Sequence, residues 1–169
     1  MNNPRDMSSP DSKISDEKLE GVQLFFLLGL SFQLVLGEFV DRLDDAGYDD
    51  LRPVHGLVFQ ALARGDTTST ELAERIGVTK QAAGQIVDHL ESAGYVERRD
   101  HPEGGRRRLI ALTPKADRHM RVAGLLLHEF EAELADAVGD PELARIRRAL
   151  IALIRVLAGD DVPPLRPVW

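Results

Sequence analysis

The sequence predicts a mainly α-helical fold with one small β-hairpin, a winged helix-turn-helix flanked by dimerisation helices from both ends of the chain. Three observations between residues 68 and 113 carry this prediction. Two short helices, each opened by a threonine cap, are separated by a three-residue turn. Two β-prone runs then enclose a loop of proline and glycine, and the second run is preceded by three consecutive arginines. This order of elements defines the winged helix-turn-helix motif.

The N-terminal part of the chain divides into two predicted segments. Residues 1–14 are predicted to be disordered because they are polar and offer almost nothing to bury. A segment at 15–50 follows, with one long helix over 15–46 that is apolar nearly all round over 22–36. A helix of this kind must be covered on several sides, which a domain this small does not do alone. We therefore predict a homodimer whose interface includes Leu24, Phe25 and Leu28.

A membrane span is the alternative interpretation of the same apolar run. Residues 21–37 lack charge but number only 17, and they include Gln23, Ser31 and Gln33. A span requires about 20 mostly apolar residues, so a buried helix is the better interpretation and no membrane partner is expected. The polar N-terminus does not have the pattern of a signal peptide. A cytoplasmic location is therefore expected.

The predicted DNA-binding lobe covers residues 51–113 and begins with a helix over 53–64. Thr68 and Glu71 have the spacing of a capping box, in which each side chain bonds the other residue's backbone N–H. The first helix of the motif then runs to Ile76 and stops at Gly77, which tolerates the left-handed backbone conformation. Thr79 caps a second helix over 80–93 that ends on Gly94.

The second helix of the motif is predicted to be amphipathic and to recognise DNA. Five apolar residues share one arc and should pack against the first helix, namely Ala82, Ala83, Ile86, Val87 and Leu90. The opposite arc is polar and contains Gly84, which costs about 1 kcal/mol in a helix interior unless another backbone must come close. Glutamine and lysine suit base edges and phosphates, although an ordinary solvated face is the alternative. The residues predicted to face the major groove are Thr79, Lys80, Gln81, Gly84 and Gln85, with Thr68, Ser69 and Thr70 at the preceding helix N-terminus.

The wing is predicted from strands at 95–99 and 109–113. Between Arg98 and Arg108 there are five arginines and two acidic residues, a local charge of +3. Arginine suits narrow minor grooves and bidentate phosphate contacts. We therefore expect Arg106 in the minor groove and phosphate contacts from the remaining arginines, Arg98, Arg99, Arg107 and Arg108.

The C-terminal part of the chain, residues 114–158, is predicted to form two dimerisation helices. Thr113–Pro114 and Asp140–Pro141 are both cap and first-turn pairs, which open helices over 114–138 and 140–158. In the last helix apolar residues step by three and four, which indicates a two-helix packing seam or an intramolecular core stripe. These residues are Leu143, Ile146, Leu150, Leu153 and Leu157. Residues 159–169 form a proline-rich, extended tail ending in Trp169.

Composition excludes several classes of protein. The chain has no cysteine, which excludes disulfides and thiolate zinc sites. Its five histidines have no metal-ligand spacing, and neither a catalytic triad nor a carboxylate pair is legible, so neither an enzyme nor a metal or other cofactor is expected. The net charge of −7 is uneven: residues 1–74 carry −8 and residues 75–169 carry +1. A basic face on an acidic body still permits DNA binding.

The sequence resembles the MarR family of bacterial transcriptional regulators over roughly residues 20–158. The resemblance is carried by ELAERIGVTKQAAGQIVDHLESAGYVERR, by Arg106 and by LTPKA. It implies a dimeric regulator that responds to small aromatic or phenolic effectors bound between the dimerisation helices and the DNA-binding lobe. Gly104 stands where the family usually has an aspartate two residues before its wing arginine, so the wing lacks that pairing. Ala116 replaces the family's glycine after LTPK, which is harmless inside a helix.

These observations predict a homodimeric regulator, most simply a repressor, that binds double-stranded DNA at an inverted repeat with half-sites about 10 bp apart or a multiple of that. A small-molecule effector is expected, and His55 is a candidate contact where the lobes meet, although a satisfied structural histidine is the simpler interpretation. Two alternatives remain open. One is a winged-helix protein-interaction module without DNA binding, and the other is a small enzyme that uses a cavity between the helices.

Overall fold

The computed structural model describes residues 19–102, 104 and 107–167. Its six helices are α1 (Leu24–Asp45), α2 (Pro53–Leu62), α3 (Ser69–Ile76), α4 (Lys80–Ser92), α5 (Pro114–Val138) and α6 (Asp140–Ala158), and its two strands are β1 (Val96–Asp100) and β2 (Arg108–Leu112). The prediction of disorder at 1–14 lies outside the described residues, as do Arg106 and Trp169. The chain forms two compact units that meet between Glu38 and Phe39, inside α1.

The first unit contains the apolar N-terminal part of α1. The expected single helix over 15–46 is wrong at residues 21–23, where the chain makes a turn before α1 begins. The N–H of Val22 donates to the carbonyl of Leu19, three residues back in the chain. Gly21 disfavours a continuous helix here because glycine has a low helix propensity. In the single chain α1 has no buried residue and Phe25 is 77% exposed, so the burial of this helix by a second chain stays a prediction.

By length and composition α1 could also cross a membrane, since an 18-residue window of it has a mean hydropathy of 1.7. One such helix is weak evidence, because core helices of soluble proteins and signal sequences pass the same test.

The second unit is built around the helix-turn-helix. Side chains from α2, α3, α4 and the hairpin form its hydrophobic core, which includes Phe59, Leu72, Val87, Leu90 and Ile110. Gly77 ends α3 with φ +71° and Thr79 caps α4, as predicted. At the other end of α4 the N–H of Tyr95 bonds the carbonyl of Leu90 at 2.8 Å, which is the closing bond of a Schellman motif around Gly94.

The hairpin forms in nearly the predicted place. Antiparallel β1 and β2 pair from Val96 with Leu112 to Asp100 with Arg108, one residue away from the predicted limits at 95–99 and 109–113. Tyr95 is excluded from β1 because its N–H completes the end of α4. A third backbone segment joins the hairpin, since Thr67 and Ile110 exchange backbone hydrogen bonds of 3.3 and 2.8 Å. The sequence prediction missed this bridge.

The two long C-terminal helices have the predicted limits but different caps. The hydroxyl of Thr113 does not cap α5; it donates instead to the Gly94 carbonyl at 2.7 Å. Asp140 is the first residue of α6 and not its cap, which is Gly139 with φ +90°. Proline inside the first turn of both helices starts each helix without a side-chain cap, because its φ is already helical.

Candidate nucleic-acid interface

The predicted recognition helix α4 presents one buried and one exposed face. Ala83, Val87 and Leu90 are fully buried, as predicted, whereas Lys80, Gln81 and Gln85 are exposed. A Cβ added at Gly84 would meet no atom within 4 Å. The middle of the exposed face therefore carries no side chain at Gly84, and long polar side chains lie on either side of it. Another backbone has room to approach the helix there.

The threonines at the helix starts serve mainly as caps. The hydroxyl of Thr79 accepts the N–H of Ala82 at 3.1 Å. At the start of α3 the Thr68 N–H donates to Oε2 of Glu71 at 2.9 Å, and the hydroxyl of Thr67 donates to the same oxygen at 2.7 Å. These bonds, led by the backbone one, lower the pKa of Glu71 to about 2. Thr68 is thus committed to the fold, which leaves exposed Thr70 and half-buried Ser69 nearer to solvent.

The end of α4 is held by residues that the sequence prediction missed. Nζ of Lys115 donates to the Ala93 carbonyl at 2.8 Å and lies 3.9 Å from the centre of the Tyr95 ring. The Tyr95 hydroxyl donates to Oδ1 of Asp50 at 2.9 Å, and Nε2 of His89 donates to the Asp50 carbonyl at 3.0 Å. Burial and the Asp50 contact raise the pKa of Tyr95. These bonds connect α4 to α5 and to the loop before α2.

Arg98, Arg99 and Arg108 of the wing are ion-paired within the protein. Arg108 meets Asp100 at 2.7 Å, and Arg99 meets Glu97 at 2.6 Å and Asp66 at 3.4 Å. Both of these guanidinium groups remain about half exposed. The pKa of Arg99 is raised, chiefly by its hydrogen bond to Glu97. The predicted local charge of +3 is therefore partly neutralised by acidic residues inside and outside the hairpin.

Arg98 differs from the other wing arginines because it faces the recognition helix. Its guanidinium binds Asp88 at 2.6 Å and also binds Glu91, both on the exposed side of α4. The bond to Asp88 is the main cause of its raised pKa. Arg98 thus braces β1 against α4, and a phosphate would have to displace two carboxylates to reach it. Arg107 is exposed, and Arg106 lies outside the described residues.

The backbone conformation at position 104 explains why this residue is a glycine. Its φ is +73°, and its N–H donates to the His101 carbonyl at 2.8 Å. A side chain at this φ is strained, so the turn at the wing tip favours glycine over the aspartate of the resembled family.

Two buried histidines lie behind the recognition helix. Nδ1 of His55 accepts the Arg52 N–H at 2.9 Å, and its ring stacks on His89 with 4.9 Å between the centres. Burial, followed by the charge of His89, lowers the pKa of His55 to about 4. His119 packs among Tyr48, Phe59 and Tyr95, burial lowers its pKa, and its Nδ1 has no hydrogen-bond partner among the described residues. His55 is thus a satisfied structural residue.

The predicted dimer residues are mostly exposed in the single chain. Leu24 and Phe25 are exposed and Leu28 is half-buried; on α6, Ile146, Leu150 and Leu157 are exposed and Leu143 and Leu153 are half-buried. The helix α6 contains no buried residue. Within the described part of the chain no group of three or more histidine or acidic residues is arranged to hold a metal ion.

Comparison with known proteins agrees with this geometry. The model of the MarR family matches residues 49–107, which confirms the resemblance inferred from the sequence. No curated protein sequence matches the chain.

Solved structures share the fold over most of the chain. MepR, a transcription regulator of the Staphylococcus aureus multidrug efflux pump MepA, is 17% identical with a TM-score of 0.62 over 80% of this chain and 99% of that chain. The transcriptional repressor CouR, bound to a 23-mer DNA duplex, is 23% identical with a TM-score of 0.64 over 87% and 99%. The transcriptional regulator PA3341 is 28% identical with a TM-score of 0.59 over 80% and 98%. These matches confirm the predicted winged-helix fold.

Proposed function

We propose that this chain, whose residues 49–107 match the model of the MarR family, is a cytoplasmic homodimer that binds a pseudo-palindromic operator in double-stranded DNA and represses transcription. A small effector, aromatic or phenolic by the family resemblance, would release it. The observation that carries the proposal is the exposed face of α4, where Lys80, Gln81 and Gln85 surround the open backbone at Gly84. Thr79 at the helix start completes this surface.

The proposed phosphate contacts follow from exposure and pairing. Ser69 and Thr70 at the N-terminus of α3 are placed to donate to phosphate oxygens, as helix N-termini commonly do. Arg99 and Arg108 are half exposed and are proposed to exchange their carboxylate partners for phosphates. Arg107 is also proposed to contact a phosphate, and Arg106 is proposed to enter the minor groove. Arg98 is proposed to orient α4 rather than to contact DNA, because Asp88 and Glu91 hold its guanidinium.

The proposed dimer is supported by apolar surface that the single chain leaves exposed. Phe25 on α1 is 77% exposed and Leu157 on α6 is 78% exposed, and each of these helices exposes several further large apolar side chains, as interaction surfaces do. A two-fold dimer carries two recognition helices, so an inverted repeat is the expected target. His55 is not proposed as an effector contact, since both its ring face and its Nδ1 are occupied.

The test is a fluorescence-anisotropy titration of the protein against a labelled duplex of about 30 bp taken from the DNA flanking its own gene. We expect tight binding that weakens steeply from about 50 to about 200 mM salt, and weaker binding to a scrambled duplex. Equal, weak binding to both duplexes would place the operator elsewhere in the genome. Absence of binding to either at low salt would overturn the proposal.

A matched pair of glutamines sharpens the test. Gln85→Ala should reduce the preference for the operator by about 1–3 kcal/mol because a bidentate contact to a base is lost. Gln60→Ala on α2 is the control, since Gln60 is also an exposed helical glutamine. Equal effects of the two substitutions would contradict the assignment of α4 as the recognition helix.

One observation favours a second candidate function. Arg98, Arg99 and Arg108 are all paired with carboxylates on a chain of net charge −7, an arrangement that suits a winged-helix module for protein interaction. If the protein binds neither duplex at low salt, this candidate function is favoured.

A further inference from the structure

The C-terminal tail returns to the turn of the helix-turn-helix. Residues 161–167 have no regular secondary structure, and the side chain of Arg166 lies against Gly77. A Cβ built on Gly77 would be 2.7 Å from Cδ of Arg166 and 3.1 Å from its Nε, closer than side chains tolerate. Glycine at this position therefore does two things: its φ of +71° ends α3, and its missing side chain admits the arginine.

This contact puts a cation beside the recognition helix. Gly77 is two residues before Thr79, so their Cα atoms are at most about 7.6 Å apart. Arg166 thus lies next to the segment that leads into the proposed base-contacting end of α4. The turn and the first residues of a recognition helix approach the DNA most closely in proteins with this motif.

The guanidinium of Arg166 is available to a phosphate, whereas those of Arg98, Arg99 and Arg108 are bound by carboxylates. It is exposed and forms no ion pair with another residue of the described ranges. The tail is not held there by apolar burial, because Val162 and Leu165 are exposed. Prolines at 163, 164 and 167 restrict the tail backbone, and Arg166 itself is confined to extended conformations because it precedes a proline. The tail therefore holds its arginine with a reduced entropic cost of ordering.

We infer that Arg166 is a DNA-backbone contact: the tail supplies a phosphate-binding guanidinium at the helix-turn-helix turn, additional to the contacts of the winged helix. This inference rests on the proposed function. A guanidinium that neutralises one phosphate releases condensed counterions, so it contributes to both affinity and salt dependence. Because phosphate contacts carry no sequence information, the contribution should be the same on operator and scrambled DNA.

The test compares wild type, Arg166→Gln and Arg166→Lys on the operator-flanking duplex and its scrambled version between about 50 and about 200 mM salt. The slope of log affinity against log salt is negative, and we expect Arg166→Gln to reduce its magnitude by about 0.9 per protomer. The affinity ratio between wild type and variant should then shrink by about 3.5-fold per protomer over that fourfold range of salt. Arg166→Lys should restore most of the slope, because it restores the charge.

Two controls isolate the effect. Arg145→Gln removes the same charge from an arginine of α6 that pairs with Glu142, and Leu165→Ala alters the tail without altering its charge. Both should leave the slope unchanged, and thermal melting of each variant checks that it is folded.

The outcomes separate this inference from the proposed function. Wild-type binding with an unchanged slope in Arg166→Gln would overturn the inference alone. Tighter binding by Arg166→Gln would also overturn it, since the tail would then obstruct DNA. Failure of the wild type to bind either duplex would overturn the proposed function and the inference together.

Discussion

The helix-turn-helix and the last helix of this chain use similar apolar residues in opposite ways. In α4, Ala83, Val87 and Leu90 are fully buried against neighbours in the same chain. In α6 the apolar residues recur just as regularly, yet none is buried. The helix-turn-helix is thus packed within one chain, whereas α6 leaves its apolar residues without full burial in the single chain, which is what the proposed dimer would cover.

The largest test of this comparison is a pair of leucine truncations. Leu90→Ala removes a fully buried side chain and should lower the free energy of unfolding by about 2–5 kcal/mol. Leu157→Ala removes a side chain that is 78% exposed and should change the unfolding of dilute, monomeric protein by less than about 0.5 kcal/mol. Urea unfolding at low protein concentration measures both. A comparable loss in the two variants would contradict the division.

The dimer interface is tested by charge. Leu157→Lys introduces a cation where a partner helix is expected to pack, and burying an unpaired charge costs about 3 kcal/mol or more. The dimer dissociation constant should therefore rise on the order of 100-fold, as measured by analytical ultracentrifugation. Arg145→Lys, which keeps its charge and its exposed position, should leave the constant unchanged. A Leu157→Lys protein that dimerises like the wild type would remove α6 from the interface.

The buried histidines His55 and His119 should make the stability of the protein sensitive to acid. The pKa of His55 is lowered from 6.5 to about 4, so the unfolded state binds the proton more readily. Stability should be complete above pH 6.5 and should fall as the pH drops toward 4, because each pKa unit is worth about 1.4 kcal/mol. Between pH 6.5 and 5, His55 should account for a loss of about 2 kcal/mol. The lowered pKa of His119 acts in the same direction.

Substitution separates His55 from the general effect of acid. His55→Gln keeps an acceptor near the Arg52 N–H but does not titrate, so its unfolding free energy should depend less on pH by about 2 kcal/mol over that interval. His128→Gln, at an exposed histidine of α5, should keep the wild-type dependence. Identical pH profiles for the wild type and His55→Gln would mean that His55 does not contribute.

The part of the structure that the sequence predicted is the part determined by near neighbours. The Thr68–Glu71 box, the stop at Gly77 and the cap at Thr79 act within four residues, and they fixed the limits of α3 and α4. The hydrogen bond from Tyr95 to Asp50 joins residues that are 45 positions apart in the chain. No local sequence pattern indicates such a contact. The Thr67–Ile110 bridge and the contact of Arg166 with Gly77 were missed for the same reason.

The wing shows why a charge count is a weaker guide than a capping pattern. Five arginines near its tip predicted a strongly basic surface. Folding brings Asp66, Asp88 and Glu91 from other elements against two of these arginines, Arg98 and Arg99. Which arginine is paired depends on the way the hairpin folds back on α4, and no local pattern records that. The division of α4 into a buried and an exposed face was predicted correctly because helical periodicity alone determines it.

The smallest expected effect separates cap from contact at the start of α3. Thr68 caps this helix by accepting the Glu71 N–H, so Thr68→Ala should cost about 1 kcal/mol of unfolding free energy. Thr70, two residues on, is exposed, and Thr70→Ala should leave stability within about 0.5 kcal/mol of the wild type. Thermal unfolding and DNA titration of both variants give the comparison. If Thr70→Ala weakens DNA binding while Thr68→Ala mainly lowers the melting temperature, neighbouring threonines divide the two roles. If Thr68→Ala leaves the melting temperature unchanged, the hydroxyl of Thr68 does not stabilise the lobe.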